Sequence, residues 1–392
     1  MFESIPAPCE ERIVSKHPRA QLVIGVPVEK STDETRLPLT PQGVERLVSM
    51  GHSVRIMQGA GLRARFSDEV YVSAGAQITH EEEVWKSDVV VKILPPTADE
   101  VCLLSSGQTL VCLVSRSQID KNLFLELSCR KITLLAPDIM LDASGEPVLS
   151  RRLGELEGLL AVSCAAHLLQ SASCGKGIIL GGITGIPQSE VLILGADPTA
   201  VAIAHTAVSM GAVVKVFDED YDSLCRLVSC VSSPISTSLL HPQALEKALR
   251  SADVVVGTRA CCHAHHSFAL SSDHIQLLKS GAVFIDLNIV NGGRSHLSHP
   301  TSLSEPTFVA SGVVHHCLPD ITVLASHTAT IVLSDVLTPL LMSIGEGGGV
   351  ENTLRSDQSL RSSVAIYNGT TTSAYLAKRT GAELFDIRLL II

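Results

Sequence analysis

The sequence predicts an α/β protein built from two doubly wound parallel sheets that are joined by long helices. Short apolar segments typical of buried strands recur along the chain, and helical segments lie between them. Strands that alternate with helices imply a parallel sheet covered on both faces. With 392 residues, the chain is long enough for two domains with complete hydrophobic cores.

The first 150 residues contain several segments of the buried-strand type. These predicted strands are residues 22–26, 52–57, 89–94 and 110–114. Thr40 and Pro41 open a helix, because a threonine cap followed by proline is a common helix start. Further helices are predicted around residues 68–74 and 123–127.

The second half begins with a long helix predicted over residues 154–169, which a glycine-rich connection follows at residues 175–187. The alternation of strands and helices then resumes. The predicted strands of this half are residues 191–194, 212–217, 254–256 and 282–286. After about residue 328 the pattern becomes helical, over residues 331–344 and 362–379. We expect these last helices to return to the first domain.

The composition narrows the class of protein. Hydrophobic residues make up 45% of the chain and charged residues 18%, which is typical of a globular protein and excludes a disordered one. A net charge of -10 without any basic tract argues against a nucleic-acid partner. No apolar stretch reaches the roughly 18 residues that cross a bilayer, and residues 1–20 lack the apolar core of a signal peptide. We therefore predict a cytoplasmic protein with no membrane span and a loose leader over residues 1–20.

The 11 cysteines are scattered and odd in number, which favours reduced thiols in a cytosol over a disulfide framework. One dense cluster of possible metal ligands stands out, at residues 261–266 (Cys-Cys-His-Ala-His-His). Structural zinc sites need a second ligand pair elsewhere, and none is evident in the sequence. The cluster therefore favours a loop after the strand at residues 254–256, and no metal site is predicted.

The segment around Gly195 carries the first indication of a ligand. An apolar strand runs into Gly195, a helix follows, and a second strand ends at Asp218, as in the first half of a dinucleotide-binding unit. The three positions of the G-x-G-x-x-G pattern are Gly195, Asp197 and Ala200. Asp197 places a negative charge where a pyrophosphate would lie on the helix N-terminus. Two interpretations stay open: a nucleotide site, or a doubly wound sheet that keeps this geometry without binding a nucleotide.

Further motifs are spread over nearly the whole chain after Leu22. They are Glu34-Thr35-Arg36-Leu37-Pro38-Leu39-Thr40-Pro41, Gly59-Ala60-Gly61 with Phe66-Ser67-Asp68, Gly181-Gly182-Ile183-Thr184-Gly185-Ile186-Pro187, Gly292-Gly293, and Gly312-Val313-Val314-His315-His316-Cys317. In this order they resemble the alanine dehydrogenase and NAD(P) transhydrogenase α-subunit family. The tail from residue 345 to residue 369 is similar to that of a longer, divergent alanine-dehydrogenase-like branch.

The resemblance implies an activity and an organisation. It implies a homo-oligomeric oxidoreductase that uses NAD to convert L-alanine to pyruvate and ammonia. Residues 21–150 together with 327–392 would form the substrate-type domain with its returning helices, and residues 151–326 the NAD-binding domain of the Rossmann type. The partner would be a small molecule, an amino acid or a 2-oxo acid.

The resemblance also assigns roles to single residues of the substrate-type domain. Arg36 stands where the family has the arginine that pairs with the substrate carboxylate, and a planar guanidinium can hold a carboxylate through two hydrogen bonds. The alternative is a structural ion pair between Arg36 and Glu34 or another acid. Lys92 is retained at a strand end, either as a site residue or as a structural partner.

Other positions depart from the family pattern. The family's substrate lysine falls on Leu94, its general acid/base histidine on Ser115, its catalytic aspartate on Val290, and a nearby asparagine on Asp320. Serine does not shuttle a proton near neutral pH as imidazole does. Loss of a general acid/base removes a factor of about 10²–10⁴ in rate. We therefore expect an impaired enzyme or one of altered specificity.

The cofactor residues leave similar alternatives. A carboxylate at Asp218 suits the free ribose hydroxyls of NAD and repels the extra phosphate of NADP. It also fits an acidic turn, since Glu219 and Asp220 follow. The resemblance places Asp286 and Asn288 near the nicotinamide, although each could equally cap a turn.

Two other classes of function remain besides the impaired dehydrogenase. The chain could be a catalytically degenerate homologue, a pseudoenzyme that acts as a binding or structural subunit. It could also be the NAD(H)-binding subunit of a transhydrogenase. That last function requires an intact nucleotide turn and partner membrane segments, and the sequence shows neither.

Overall fold

The computed structural model describes residues 19–116, 119–259 and 268–391, which fold around two β-sheets. The strands within these residues are β1 (Val23–Val26), β2 (Ser53–Met57), β3 (Gln77–Thr79), β4 (Val89–Val91), β5 (Thr109–Val111), β6 (Thr133–Leu135), β7 (Glu190–Leu194), β8 (Val213–Asp218), β9 (Ser236–Leu239), β10 (Val254–Gly257), β11 (Val283–Asp286), β12 (Thr307–Ala310), β13 (Val313–His316), β14 (Val364–Tyr367) and β15 (Thr370–Thr371). The helices are α1 (Pro41–Ser49), α2 (Asp68–Ser73), α3 (Glu81–Trp85), α4 (Ala98–Leu103), α5 (Lys121–Cys129), α6 (Val148–Leu168), α7 (Pro198–Ser209), α8 (Tyr221–Cys230), α9 (Pro242–Ser251), α10 (Ser272–Gln276), α11 (Ser326–Glu346), α12 (Val350–Ser356), α13 (Gln358–Ser362) and α14 (Ala374–Thr380). The cluster at residues 261–266 and most of the expected leader lie outside the described residues.

The first sheet has the strand order β15-β14-β6-β5-β4-β1-β2-β3, and the second has the order β12-β13-β11-β10-β7-β8-β9. Most neighbours are parallel. The antiparallel pairs lie at one side of each sheet: β14 with β6 and with β15, and β12 with β13. The predicted fold class, two doubly wound α/β units, is confirmed. The sheets are not purely parallel, because each has antiparallel strands at one side.

Both faces of each sheet are covered, as the apolar strands predict. In β4, Val89 and Val91 join one hydrophobic cluster, while Val90 joins the cluster on the opposite face. Likewise, Val254 and Val255 of β10 belong to two different hydrophobic clusters, one on each face of the second sheet. Because neither face meets water, these strands are continuous apolar runs without the alternation of half-exposed strands.

The long helix α6 starts at Val148, before the predicted residue 154, and it contains two glycines that lie close to a neighbouring helix. A Cβ atom at Gly154 would lie 2.7 Å from the Thr199 hydroxyl, and one at Gly158 would lie 2.6 Å from the Ala202 methyl group. Both contacts belong to α7, the helix that follows the Gly195 turn. The missing side chains therefore let α6 approach α7 closely.

The helix predicted over residues 362–379 is wrong for most of its length. The chain forms β14 and β15 there, and only α14 is helical. Asn368 and Gly369 have φ angles of +47° and +85°, as a two-residue hairpin turn with right-handed strand twist requires. The Asn-Gly pair and the β-branched residues before it therefore prevail over the helical pattern, and β14 adds to the first sheet.

One helical stretch of the described chain, Ile321–Glu346, is long and apolar enough by length and composition to cross a membrane, but 61% of its most apolar window is buried inside the fold. It packs against α1 and α6. Its Thr330 and Ser334 hydroxyls accept the backbone N–H groups of Leu37 and Thr40 at 3.0 Å each. These contacts are those of a core helix that fixes the loop containing Arg36.

Candidate active site

A cavity of about 460 Å³ lies between the two sheets, within the size range of small-molecule sites. Its walls are loops that follow β1, β4 and β5 of the first sheet and β11 and β13 of the second. The polar lining residues are Ser31, Asp33, Glu34, Arg36, Arg116 and Asp320; the apolar ones are Leu94, Pro95, Pro96, Leu123, Ile289, Val290, Pro300, Leu318, Pro319 and Val323. In parallel sheets the carboxyl ends of the strands are the usual ligand-binding edge.

Arg36 lies in this wall with its guanidinium group already paired. Nε and Nη2 donate to the two oxygens of Glu34 at 2.8 and 2.6 Å, and Nη1 donates to Asp320 at 2.7 Å. Nη1 also lies 2.6 Å from the Thr322 hydroxyl. The ion pair with Glu34 that the sequence left open is therefore present, and Asp320 adds a second one.

A second ion cluster adjoins the first and connects the two sheets. Arg116, which follows β5, and Arg259, which follows β10, both donate to the same oxygen of Glu157 on α6; Arg259 does so at 3.1 and 2.9 Å. Arg116 also lies 3.6 Å from Asp320. Burial alone would raise the pKa of Asp320, but the surrounding arginines hold it well below its usual range. The Asp320 carboxylate is therefore ionised. The two clusters together contain equal numbers of arginines and acids.

Lys92 is buried and does not line the cavity. Its ammonium group donates to Glu100 at 2.8 Å, lies 3.6 Å from Glu29 and stands 5.8 Å above the ring of Trp85. Burial raises the pKa of Glu29 to about 7, although Lys92 opposes the rise. Lys92 is thus placed as the buried partner of two acids, and it is not among the residues that line the cavity.

Ser115 and the two replaced positions offer no group for proton transfer at neutral pH. The Ser115 hydroxyl and backbone N–H both donate to Asp138 at 2.6 Å. Leu94 and Val290 contribute apolar surface to the cavity. Among the described residues that line the cavity, none is a histidine or a lysine.

The turn at Gly195 keeps the strand-turn-helix geometry of a nucleotide site. Gly195 has a φ of +114°, and α7 begins at Pro198 with Asp197 as its N-cap. The Asp197 carboxylate accepts the N–H of Ala200 at 2.9 Å. Burial raises the pKa of Asp197 to about 6, and the nearby Glu157 carboxylate adds to the rise.

Asp218 turns its carboxylate toward the same turn. One oxygen accepts the N–H of Ala196 at 2.7 Å, and the other accepts the N–H of Asp220 at 2.8 Å. Asp218 therefore lies at the strand end as predicted, next to the turn. It also acts as the turn-forming acid that the sequence left as the alternative.

Arg294 lies over this turn and was not singled out from the sequence. Its Nε donates to the backbone carbonyl of Thr258 at 2.8 Å, and its Nη1 donates to that of Phe268 at 3.2 Å. Its Nη2 lies 3.5 Å from the position that a Cβ atom on Gly195 would take. A side chain at Gly195 would also collide with the Thr258 hydroxyl. Only glycine fits this position.

These contacts decide how well the turn fits a dinucleotide. A pyrophosphate would need the N–H groups at the start of α7. The N–H of Ala200 is bonded to Asp197, and the N–H of Ala196 is bonded to Asp218. Asp197 also places a carboxylate at the same position. As folded, the turn does not fit a pyrophosphate.

Asp286 and Asn288 lie at the end of β11, close to the cavity. Asp286 accepts the backbone N–H groups of Asn288 and Arg294 at 2.9 and 2.6 Å and the Ser298 hydroxyl at 2.6 Å. Burial raises the pKa of Asp286, while these hydrogen bonds lower it. The side chain therefore organises the loop that carries Arg294.

Two family models match consecutive parts of the chain. The model described as "Alanine dehydrogenase/PNT, N-terminal domain" matches residues 25–151, and the model described as "Alanine dehydrogenase/PNT, C-terminal domain" matches residues 161–374. The chain belongs to the alanine dehydrogenase/PNT family. The resemblance inferred from the separate motifs is confirmed.

Relatives in this family match nearly the whole chain. The alanine dehydrogenase of Bacillus subtilis is 30% identical over 92% of this chain and 96% of its own length. That of Halomonas elongata is 30% identical over 94% of this chain and 99% of its own. A solved L-alanine dehydrogenase has a TM-score of 0.81 at 27% identity, covering 92% of this chain and 99% of the other. A transhydrogenase from Sinorhizobium meliloti shares the fold, with a TM-score of 0.75 at 19% identity, covering 89% of this chain and 99% of the other.

The structure brings Arg36 and Asp320 together in the cavity wall and gathers the Gly195 turn, Asp218 and Asp286 at the other sheet. Three residues that the sequence analysis missed connect these groups: Glu157, Arg259 and Arg294. Arg259 and Arg294 lie in loops that follow the ends of β10 and β11, where a search of strand ends would have found them. Glu157 lies on the buried face of α6, where most neighbours are apolar. A lone acid on the apolar face of a predicted helix was therefore the sequence feature that could have pointed to it.

Proposed function

We propose that this member of the alanine dehydrogenase/PNT family oxidises L-alanine with NAD only in an impaired form. One observation carries the proposal: the guanidinium group of Arg36, the expected anchor of the substrate carboxylate, is held by Glu34 and Asp320. A substrate carboxylate would have to compete with two buried carboxylates for the same donors. Such an exchange is unfavourable, because each displaced acid would lose its partner in a buried site.

The groups around the cavity support the same proposal. A general acid/base must lie within hydrogen-bond reach of the reacting proton and have a pKa near the working pH. Ser115 is bonded to Asp138, and Leu94 and Val290 are apolar. The cavity combines this apolar surface with the paired charges of Arg36, Arg116 and Asp320. None of the described residues that line the cavity is a histidine or a lysine.

NAD is the cofactor that family membership suggests, and we include it in the proposal as a weakly bound one. Asp218 lies where a ribose-binding carboxylate is expected. The occupied N–H groups of the Gly195 turn oppose tight binding. NAD supplies a hydride acceptor when bound, and no step is assigned to it in this chain.

The assay that tests this proposal measures NADH formation from L-alanine and NAD, and NADH consumption with pyruvate and ammonium. We expect turnover lower by about 10²–10⁴ than in a relative measured beside it, since the general acid/base is lost. The alanine dehydrogenase of Bacillus subtilis is a suitable reference. Comparable turnover by the two proteins would refute the proposal.

The second candidate is a catalytically degenerate homologue that acts as a binding protein. The observation that favours it is the cavity of about 460 Å³ itself, whose lining carries the apolar Leu94 and Val290 at two of the positions where the family has reactive residues. Ligand-induced thermal shifts separate the two candidates. Stabilisation by small carboxylates or amino acids without any turnover favours the binding protein, and slow turnover favours the impaired enzyme.

The organisation expected from the sequence completes the proposal. We propose a substrate-type domain of residues 21–150 and 327–392, an NAD-binding domain of residues 151–326, and a cytoplasmic homo-oligomer. Membership of β14 and β15 in the first sheet supports the return of the C-terminal segment to the first domain. Light scattering of the purified chain measures its oligomeric state.

A further inference from the structure

The start of α7 is an anion-binding position that the chain fills with its own side chain. A helix N-terminus carries partial positive charge and free N–H groups, which attract phosphate or carboxylate. Here the carboxylate comes from Asp197, bonded to the Ala200 N–H at 2.9 Å. α7 has 12 residues, so its N-terminus is a fully formed helix end.

Arg294 is the independent observation that points to a ligand. The residue is 8% exposed, and two of its guanidinium nitrogens are used by backbone carbonyls. Its remaining nitrogen, Nη2, has no hydrogen-bond partner among the described residues and points at the turn, 3.5 Å from the Cβ position at Gly195. A buried guanidinium therefore faces the place where a pyrophosphate would lie.

We propose that Asp197 is an internal ligand of the Gly195–Ala200 turn and that Arg294 is its counter-charge, so that the chain itself occupies the pyrophosphate position of a dinucleotide. The carboxylate of Asp197 occupies the helix end, and Arg294 stays beside the turn as a cation that can bind a phosphate. This inference rests on the proposed cofactor site, and it does not depend on the loss of alanine oxidation.

The charges around Asp197 explain why its carboxylate excludes a pyrophosphate. Glu157 on α6 and Asp218 at the end of β8 are acids near the turn, whereas Arg259 after β10 and Arg294 after β11 are the facing cations. A pyrophosphate beside these acids would meet like charges at close range, which is strongly unfavourable. Removal of Asp197 would free the Ala200 N–H and leave Arg294 without that counter-charge.

The test is a titration of the full chain with NADH, followed by cofactor fluorescence, in the wild type and three variants. In Asp197→Gly the charge is removed, and glycine is an acceptable N-cap. Asp197→Asn retains a capping side chain without the charge. Asp197→Gly with Arg294→Gln removes the cation as well. Circular dichroism and thermal melting show which variants are folded.

We expect Asp197→Gly to bind NADH about tenfold or more tightly than the wild type, because a like charge has gone. Asp197→Asn should show part of this gain, and the double variant should lose it. If the double variant does not fold, the two single variants decide, because each of them removes the opposing charge.

Two results would overturn the inference: wild-type binding as tight as that of both single variants, or a double variant that is folded and keeps the full gain. Neither result depends on alanine turnover. Tight NADH binding by the wild type without turnover of alanine would refute the internal ligand and leave the proposed impairment intact. Rapid alanine turnover would refute the impairment instead.

Discussion

The carboxyl ends of the two sheets face the same cleft, but they satisfy their polar groups differently. At the first sheet, Arg36 and Lys92 each pair with two acids, and Ser115 is bonded to Asp138. At the second sheet, one carboxylate, that of Asp197, occupies the helix end. The first edge holds its cations in several buried ion pairs, whereas the end of α7 at the second edge is occupied by the carboxylate of Asp197. We therefore expect the two edges to respond differently to substitution.

The largest effect is expected at the ion cluster that joins the two edges. Glu157→Gln removes the carboxylate that Arg116 and Arg259 share, and leaves two buried arginines without their common partner. Breaking a buried ion pair in this way costs about 3–5 kcal/mol. Chemical denaturation monitored by circular dichroism measures the free energy of unfolding.

Glu155→Gln is the matched control, because Glu155 is an exposed acid on the same helix. A surface change of this kind should stay within about 0.5 kcal/mol. Equal losses in both variants would contradict the role given to the cluster, since helix propensity would then explain the effect.

The next effect concerns alanine turnover. It tests whether the family residues must be restored at both edges at once. The combination of Asp197→Gly, Ser115→His and Val290→Asp restores the family residues at the turn, at the end of β5 beside the cavity, and at one position of the cavity lining. We expect alanine turnover to rise by about 10²-fold, the lower end of the range for a general acid/base, because Leu94 is unchanged. Initial rates of NADH formation give the result.

Asp197→Gly alone serves as the control for this combination, since it opens the turn without adding a proton carrier. It should bind NADH more tightly but turn over alanine no faster than the wild type. No gain in the triple variant would mean that the loss of alanine turnover involves positions beyond these three.

The two edges also differ in how much of them the sequence could predict. The strands around the Gly195 turn were predictable, because each is a short apolar run followed by turn residues. The partners of Arg36 were only half predictable: Glu34 is two residues away, but Asp320 lies 284 positions along the chain. Ion pairs between distant segments depend on tertiary packing, which periodicity does not encode.

The C-terminal hairpin shows a different limit. Residues 362–379 contain enough helix-forming side chains to suggest one helix, and the Asn-Gly pair at Asn368 and Gly369 was the contrary signal. Pairing of Val364 and Ile366 with β6 decides between the two, because an edge of the first sheet is available there. The intrinsic helix propensity of a segment is a weak guide where the free edge of a sheet can pair with that segment as a strand.

A smaller effect is expected for the pH dependence of NADH binding, and it belongs to the second edge alone. The pKa of Asp197 is raised to about 6 by burial. Its carboxyl group therefore takes up a proton as the pH falls from 8 to 5.5, and the like charge beside a pyrophosphate disappears. Wild-type affinity should rise several-fold over this interval, with the midpoint near pH 6.

Asp197→Gly should show little of this change, since the titrating group is absent. Isothermal titration at both pH values, with the same buffer ionic strength, measures the difference. A wild type and a variant with the same pH profile would show that another group controls the binding.

The smallest effect is expected where the C-terminal helix touches the second edge. The Tyr375 hydroxyl donates to the Asn291 side chain at 3.2 Å, and Arg379 donates to the same hydroxyl. Tyr375→Phe removes this contact and should cost about 0.5–1.5 kcal/mol in the free energy of unfolding. Tyr221→Phe is the matched control, because Tyr221 is 66% exposed. If both variants lose the same amount, the hydrogen bond between Tyr375 and the loop before Gly292 does not contribute to the free energy of unfolding.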